Sequence, residues 1–286
     1  MKDRALVLGG GGPVGIAWEA GVTAGLAEQG VDVTAADFIL GTSAGSVVGS
    51  RLASGTTPAE LAQGQIALAR QMKASGSPPP PAPNLMPLIA FIQRFPLDGE
   101  PSLELRAEIG QFALSSQTIS EDQFLAQIGA IAATGAWPEK FGCTSVDTAS
   151  GEFHIWRKAD GVELPRGVAS SCSVPGIYPP VTIKGRRWMD GGMRAGVNID
   201  KAEGYKRVLA LAVVPAIAVS TYMPKIERES KAVREAGGQV EVIVPDTASQ
   251  EVFGVNLMDA SRRAEITEAG LAQGRREAER LITFWN

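Results

Sequence analysis

The chain has 286 residues, of which 44% are hydrophobic and 20% are charged, so it is long enough for one large domain with a full apolar core. Its formal net charge of −4 argues against a nucleic-acid binder, which usually presents a basic face. The single histidine, His154, excludes sites that need two or more imidazoles, among them most zinc and iron centres, and nothing else in the sequence indicates a metal or a cofactor.

The cysteine count and the hydropathy pattern bear on where the protein works. Two cysteines, Cys143 and Cys172, cannot form a disulfide framework, so we expect a reducing compartment. The first apolar run is too short for a signal-peptide core, and no stretch reaches the length of a transmembrane helix. We therefore expect a cytoplasmic protein whose contact with any membrane surface is transient and made from the water side.

Two strand–turn–helix units open the chain. An apolar run at residues 5–8 ends in four glycines, and an amphipathic helix is predicted at residues 16–29. A second short strand at residues 37–40 leads into a helix at residues 43–53. This alternation predicts an α/β fold with parallel strands.

The next segment, at about residues 57–133, is rich in Ala, Gln and Leu and predicts several helices. The first should begin at Thr57-Pro58, because threonine caps a helix well and proline suits its first turn. The run SGSPPPPAPN at residues 75–84 predicts an exposed, semi-rigid loop. We interpret the segment as a helical cap inserted into a single domain that spans residues 1–286.

From residue 141 the pattern returns to β-structure. FGCTSVDT and GEFHIWRK predict a hairpin, and residues 168–172 predict a short helix or turn. Further strands are predicted at residues 181–183, 187–189, 208–214 and 240–244. A charged helix is predicted at residues 262–282.

The sequence GTSAG at residues 41–45 matches the pattern G-x-S-x-G. In this motif the serine lies on a tight, strained turn between a strand and a helix, where the free N–H groups and the positive end of the helix dipole stabilise an alkoxide or oxyanion. The Ala44 N–H would be one oxyanion donor. A five-residue pattern also arises by chance, but here it follows an apolar strand and opens a helix, which favours Ser43 as a nucleophile.

The glycine-rich loop at residues 9–15 has three interpretations. Gly10, Gly12 and Gly15 fit the dinucleotide pattern G-x-G-x-x-G, which would make the protein an NAD(P)-binding oxidoreductase. Alternatively, the N–H groups of residues 10–12 face a reacting carbonyl as an oxyanion loop, or the loop is a plain turn without a ligand. A dinucleotide site needs an acidic residue where the second strand ends, and Ser43 follows that strand instead, which favours the oxyanion loop.

A nucleophilic serine needs a base, and the sequence offers two candidates. His154 lies in mid-chain within a predicted strand, whereas the histidine of an α/β-hydrolase triad follows the acid near the end of the chain. Asp190 follows a short strand and precedes two glycines, in a loop where α/β proteins place their sites. Burial would raise the pKa of such a carboxylate and make it a better base. An ordinary Asp-Gly turn would have the same spacing.

Three segments in this order, GGGGPVG at residues 9–15, GTSAG at residues 41–45 and DGG at residues 190–192, together resemble the patatin-like phospholipase family. The run ASSCSVPGIYPPVTIKGRRWMDGG from Ala169 also resembles that family's approach to its aspartate. The resemblance extends over residues 1 to about 50 and residues 141–214.

This resemblance implies a three-layer α/β/α sandwich with a mostly parallel central sheet. It also implies a Ser43–Asp190 dyad and hydrolysis of acyl esters in phospholipids, lysophospholipids or neutral lipids, without a cofactor or a metal. Gly10, Gly11 and Gly12 would supply the oxyanion hole together with Ala44.

One position departs from the family pattern. The family usually has a basic residue directly before the glycine that corresponds to Gly15, and this chain has Val14. A missing positive charge weakens the expectation of an anionic phospholipid head group, although ester hydrolysis remains expected. A non-catalytic lipid-binding relative stays an alternative.

Overall fold

Eight strands form one mixed sheet in the part of the chain that the computed structural model describes, residues 2–76 and 83–286. The strands are β1 (Lys2–Leu8), β2 (Phe38–Gly41), β3 (Phe141–Asp147), β4 (Phe153–Trp156), β5 (Val181–Ile183), β6 (Arg186–Asp190), β7 (Tyr205–Leu211) and β8 (Gln239–Ile243). The α-helices are α1 (Gly12–Glu28), α2 (Ala44–Ala53), α3 (Pro58–Ala74), α4 (Met86–Ile92), α5 (Leu103–Ser115), α6 (Glu121–Ile131), α7 (Leu164–Ser171), α8 (Val219–Glu235), α9 (Thr247–Phe253) and α10 (Arg263–Trp285). Residues 77–82, most of the predicted proline-rich loop at 75–84, lie outside the described residues.

The strand order places the carboxyl ends of neighbouring parallel strands side by side. The order is β5-β6-β3-β2-β1-β7-β8, with β4 paired to β3 outside this path. β1, β2, β3, β7 and β8 run parallel, whereas β4, β5 and β6 are added by antiparallel pairing. The ends of β1 and β2 therefore bring Gly9 and Ser43 to one edge of the sheet, where α/β proteins bind their ligands.

Helices cover both faces of the sheet, because the side chains of its central strands alternate between two cores. In β1, Leu6 and Leu8 pack in a core with residues of α1, α2 and α10. Ala5 and Val7 point to the other core, which includes residues of α8. Strands that are apolar on both faces belong to the middle of a layered α/β protein. The predicted three-layer α/β/α sandwich with a mostly parallel sheet is confirmed.

Helices α1 and α10 pack against each other at backbone distance. A Cβ atom added to Gly21 would lie 2.2 Å from the Thr267 carbonyl oxygen, and one added to Gly270 would lie 2.5 Å from the Trp18 carbonyl oxygen. The Trp18 indole N–H also donates to the Gln273 side chain at 3.0 Å. Two further glycines extend the same contact, Gly25 and Gly274. Helix α10 thereby fixes the position of the helix that follows the glycine-rich loop.

The segment at 57–133 contains helices α3 to α6 among its described residues. Helix α3 begins directly after Thr57, whose side chain accepts the Glu60 N–H at 3.2 Å while the Glu60 carboxylate accepts the Thr57 N–H at 2.8 Å. This reciprocal pair is a capping box, and it explains why the helix begins there. That the segment acts as a cap, and that residues 1–286 are a single domain, remain predictions.

The inserted helices contact the chain on both sides of Asp190. Leu88 of α4 and Ile109 of α5 are buried in one apolar cluster with Met189 and Met193. These helices therefore help to hold the end of the strand that carries Asp190.

The extents of several elements differ from the sequence-based predictions. β6 includes Asp190 as its last residue, where a loop was expected, and β7 ends at Leu211 although its apolar run continues to residue 214. Helices α8 and α9 were not predicted, because α8 is polar and contains Pro224, which obscures its helical pattern. Over residues 2–76 and 83–286, none of these helices combines the length and the apolar character needed to span a membrane.

Candidate active site

Ser43 lies on a strained turn between β2 and α2. Its backbone has φ 51° and ψ −115°, a conformation that side-chain-bearing residues rarely adopt. A Cβ atom at Gly41 would lie 2.4 Å from the Ser46 Cα atom, and one at Gly45 would lie 2.2 Å from the Leu8 carbonyl oxygen. Both flanking positions therefore require glycine. The turn has the geometry expected of a nucleophile at the end of a strand.

The glycine-rich loop packs directly on the serine turn. The Thr42 N–H donates to the Leu8 carbonyl at 2.9 Å, and the Gly45 N–H donates to the Gly9 carbonyl at 2.9 Å. A Cβ atom added to Gly10 would lie 3.4 Å from the Ser43 Cβ atom. The structure thus brings the loop after β1 and the serine after β2 into one site.

The N–H groups of the four predicted oxyanion donors are not equivalent. The Gly10 N–H is bonded to the Gly196 carbonyl at 2.8 Å, so in this structure it is not free to stabilise an oxyanion. The N–H groups of Gly11, Gly12 and Ala44 have no hydrogen-bond partner among residues 2–76 and 83–286. Gly12 begins α1 and Ala44 begins α2, so two helix N-termini converge here. The oxyanion roles of Gly10, Gly11, Gly12 and Ala44 stay predictions, and the Gly10 N–H would have to leave the Gly196 carbonyl to take part.

Asp190 is buried at the end of β6, with 3% of its surface exposed. Its Oδ1 atom accepts the Gly192 N–H at 2.8 Å, and its buried Oδ2 atom has no hydrogen-bond partner in the described chain. Burial raises the pKa of Asp190 to about 7, against smaller lowering effects of the Ser43 hydroxyl and the Gly192 N–H. The structure thus brings Ser43 and Asp190, which are far apart in the sequence, close enough for the serine to affect the carboxyl pKa.

Two neighbours explain the glycines that follow Asp190. A Cβ atom on Gly191 would lie 2.0 Å from the Thr144 hydroxyl oxygen, so no larger residue fits there without a shift. A Cβ atom on Gly192 would lie 3.0 Å from the Asp190 Oδ1 atom, which accepts the Gly192 N–H, so a larger residue would crowd the carboxylate. The DGG sequence is therefore required by packing at one glycine and serves as an anchor for the carboxylate at the other.

His154 lies elsewhere. Its Nε2 atom is 3.3 Å from the Asp160 carboxylate, and its ring packs on Trp156 and Trp188. Within the described ranges, neither this ion pair nor these ring contacts involve Ser43 or Asp190. In those ranges, too, no group of three or more His, Cys, Asp or Glu side chains has an arrangement that could hold a metal ion.

A family model for patatin-like phospholipases matches residues 6–203, a range that contains the glycine-rich loop, Ser43 and Asp190. The chain belongs to the patatin-like phospholipase family. The resemblance stated from the three short segments is thereby confirmed. A search of curated proteins finds no significant match.

Solved structures with a similar chain path are distant in sequence from this patatin-like protein. VipD from Legionella pneumophila is 12% identical with a TM-score of 0.49, and the match covers 98% of this chain and 67% of VipD. ExoU of Pseudomonas aeruginosa, solved in a heterodimeric complex with SpcU, is 18% identical with a TM-score of 0.43. That match covers 99% of this chain and 52% of ExoU, so the chain spans about half the length of ExoU.

Several residues around the site of this patatin-like protein were not identified from the sequence. The Ser171 hydroxyl accepts the Ser43 N–H at 3.0 Å. The Asn198 side-chain amide donates to the Thr42 hydroxyl at 3.0 Å, and Thr42 directly precedes the serine. Asn198 has φ 66°, a left-handed conformation that asparagine tolerates better than most residues. In the sequence, the feature that could have identified Asn198 is its position eight residues after Asp190, in the segment that follows the proposed base.

Val14, at the position where the family usually has a basic residue, is completely buried in the apolar core. Its N–H donates to the Leu257 carbonyl at 3.2 Å. In this patatin-like protein the position serves packing, and any positive charge for an anionic substrate must come from another element.

Proposed function

We propose that this protein hydrolyses lipid acyl esters, with Ser43 as nucleophile and Asp190 as general base. Membership of the patatin-like phospholipase family supports the lipid ester hydrolase activity. The assignment of the two residues rests on one observation: a buried carboxyl group with an unbonded oxygen and a raised pKa lies beside a serine on a strained turn. Carboxyl groups with perturbed pKa values in a cleft are typical of functional sites.

In the first half of the reaction, the Asp190 carboxylate accepts the proton of the Ser43 hydroxyl while Oγ attacks the ester carbonyl carbon. The carbonyl π electrons move to its oxygen, and the N–H groups of Gly11, Gly12 and Ala44 are the available donors to that oxyanion. Collapse of the tetrahedral intermediate breaks the bond to the alcohol, which takes the proton from Asp190. An acyl-serine remains.

In the second half, Asp190 takes a proton from water, and the resulting hydroxide attacks the acyl-serine. The carboxylic acid leaves, and the proton returns through Asp190 to Ser43 Oγ. A carboxyl pKa of about 7 suits both directions, because the group is ionised enough to accept a proton and acidic enough to release it.

A narrow cavity of about 50 Å³ lies beside the residues that follow Asp190; neither Ser43 nor Asp190 lines it, but Gly192 does, and it is a candidate for part of the substrate site. Gly192 and Gly196 form one wall, and Phe95, Tyr222 and Ile226 provide apolar surface from the residues after α4 and from α8. We expect this cavity to widen when an acyl chain enters between these two elements.

Two cations also line this cavity, Arg194 and Lys225. Lys225 lies over the Phe95 ring, with its Nζ atom 5.2 Å from the ring centre. Because Arg194 is ion-paired with Asp200 and Glu100, Lys225 is the cation of this wall that offers an anionic head group the positive charge that Val14 does not, and Glu229 in the same wall opposes it.

Apolar side chains exposed beside this cavity support contact with a lipid surface. Ile217, two residues before α8, is 82% exposed, Val219 and Met223 in the first turns of α8 are 43% and 37% exposed, and Leu97, two residues after Phe95, is 53% exposed. Side chains of this type insert into the interface of a lipid aggregate. We expect the protein to act on lipid in a membrane or micelle from its aqueous side.

The test uses a fluorophosphonate probe and a panel of acyl esters. Wild-type protein should be labelled and should hydrolyse the esters, and Ser43→Ala should do neither. Asp190→Asn should lower kcat/KM by about 10²- to 10⁴-fold, the usual contribution of a general base, whereas His154→Ala should retain most activity. Equal labelling of Ser43→Ala and wild type would refute the nucleophile, and loss of activity in His154→Ala alone would restore a histidine base.

The same panel separates the other interpretations. A folded wild-type protein that binds lipid vesicles without hydrolysing any ester would be a non-catalytic relative. Stabilisation by NAD or NADP would indicate a dinucleotide site at the glycine-rich loop, because a ligand of the native state raises the melting temperature.

A further inference from the structure

A second, larger cavity of about 400 Å³ opens beside α5, β4 and β6. Its wall carries four cationic side chains, Arg106, Arg186, Arg194 and Lys201, and two carboxylates, Glu100 and Glu152. The volume falls within the range of small-ligand sites. Neither Ser43 nor Asp190 lines it.

Three of the four cations have close carboxylate partners. Arg186 lies 2.8 Å from the Asp147 carboxylate, and Lys201 lies 2.8 Å from the Asp200 carboxylate. Arg194 forms ion pairs with both Asp200 and Glu100. The charges of these three residues are therefore largely compensated within the protein.

Arg106 is different. It is 7% exposed, and its Nε atom is buried without a hydrogen-bond partner in the described chain. Its nearest carboxylate is that of Glu100 at 4.0 Å, which already accepts the Arg194 Nε–H at 3.0 Å. Burial lowers the pKa of Arg106, the Glu100 carboxylate opposes this, and the Arg194 charge adds to the lowering, but a guanidinium does not lose its proton in proteins. A nearly buried charge without a close partner is unfavourable, so an anionic ligand would relieve it.

The aromatic residues of the wall hold the guanidinium groups in place. Arg194 lies over the Phe153 ring at 4.9 Å, and Arg186 lies over the Trp188 ring at 5.2 Å, both measured to the ring centre. Stacked guanidinium groups are oriented in advance, and their parallel N–H groups match the oxygens of a phosphate.

We propose that this cavity is a binding site for a phosphate group, with Arg106 as its principal ligand. Lys201 and Arg186 line the same space and offer further N–H donors to the phosphate oxygens. The phosphate group could belong to a dissolved phosphate or phosphate ester, or to a phospholipid head group, and these sources share the chemistry that Arg106 recognises. The proposal does not depend on ester hydrolysis, because the experiments that test it measure the binding of phosphate and not the turnover of an ester.

The cavity is connected to the nucleophile turn by hydrogen bonds. Arg194 Nη1 donates to the Asn198 side-chain oxygen at 2.7 Å, and the Asn198 amide donates to Thr42 at 3.0 Å. Arg194 therefore lines the cavity and is also linked, through Asn198, to Thr42, the residue before Ser43.

The experiment uses inorganic phosphate as the dissolved probe and measures melting temperature and calorimetric binding, with sodium chloride at matched ionic strength. Phosphate should stabilise the wild type, and Arg106→Gln should weaken phosphate binding at least about tenfold, the loss of one charge-assisted interaction. Arg70→Gln removes the same charge at an exposed position of α3 and should bind as the wild type does. If Arg106→Gln does not fold, Lys201→Gln should weaken binding instead.

A second arm uses phosphatidylcholine vesicles with and without phosphatidic acid. Sedimentation with phosphatidic acid that depends on Arg106 and is reversed by inorganic phosphate identifies a lipid head group as the source. Phosphate binding without Arg106-dependent sedimentation identifies a dissolved phosphate. The proposal is overturned if neither probe binds the wild type, or if Arg106→Gln and the wild type bind phosphate equally.

Discussion

Ester hydrolysis by this protein should increase steeply across neutral pH, because its proposed base is a buried carboxyl group. Burial raises the pKa of Asp190 from 3.8 to about 7. This makes its charged form about 4 kcal/mol less favourable than that of a fully solvated carboxyl group. About 1% of the enzyme would then carry the ionised base at pH 5, about half at pH 7 and nearly all at pH 9.

The value of kcat/KM should therefore rise by about tenfold per pH unit below pH 6 and level off above pH 8, a total increase of about a hundredfold from pH 5. The assay is the initial rate of hydrolysis of an uncharged, soluble ester between pH 5 and pH 9 at constant ionic strength, with blanks that lack enzyme. Because an imidazole base gives a similar profile, His154→Ala is the matched control and should keep the same midpoint.

An independent measurement follows from the serine. Since the Ser43 hydroxyl lowers the pKa of Asp190, Ser43→Ala should raise that pKa further, which carbon-13 NMR of labelled aspartate detects without any turnover. A rate profile that is flat below pH 7, or a low-pH decline that disappears in His154→Ala, would refute Asp190 as the base.

Three further predictions concern the framework of the site. Glu19 is completely buried, and burial raises its pKa well above the ordinary value against a smaller lowering effect of the Gly9 backbone. The folded state then keeps a proton that the unfolded state loses, so the free energy of unfolding should fall as the pH rises from the ordinary pKa of a glutamate toward the raised pKa. Glu19→Gln should flatten this pH dependence in denaturant titrations. An unchanged dependence of the free energy of unfolding on pH would contradict the prediction. Gly45→Ala places a methyl group 2.2 Å from the Leu8 carbonyl oxygen and should cost about 1–3 kcal/mol of stability or more and abolish fluorophosphonate labelling. Gly129→Ala in α6 is its control, since that Cβ meets nothing within 4 Å, and equal effects of the two would contradict the packing argument. In Asn198→Gly, glycine accepts the positive φ, but the hydrogen bonds to Thr42 and Ala195 are lost. The variant should lose about 1–3 kcal/mol of stability, and its kcat should fall more than its KM changes. Reduced stability with an unaltered kcat would show that Asn198 does not position the serine turn.

The parts of the site that could be predicted from the sequence are those that local backbone chemistry determines. The turn at Ser43 has few possible backbone conformations, because a strand, a glycine and the start of a helix lie directly around the serine. The two glycines after Asp190 restrict the backbone that follows β6 in a similar way. The layers of the fold were predictable for the same reason, because buried parallel strands such as β7 are continuous apolar runs.

The parts that could not be predicted depend on residues far apart in the chain. The Gly10 N–H is bonded to the Gly196 carbonyl, and no local pattern in either segment indicates that bond. Helix α8 lines the cavity beside Asp190, but its polar composition and interior Pro224 conceal it. The roles of Ser43 and Asp190 remain predictions that the experiments above test.

The glycine contact between α1 and α10 also has a consequence for biosynthesis. Trp18 and Gln273, which bond across this contact, are 255 residues apart, and contacts of such separation form slowly because a long loop must close first. During translation, α1 has no α10 to pack against until the C-terminal part of the chain emerges, so we expect α1 to stay without its main packing partner on the ribosome. Stalled chains that end before residue 263 should remain sensitive to protease within α1, and protection there before α10 emerges would contradict this order. A lipid-degrading activity that depends on α10 would thus be withheld until this contact closes.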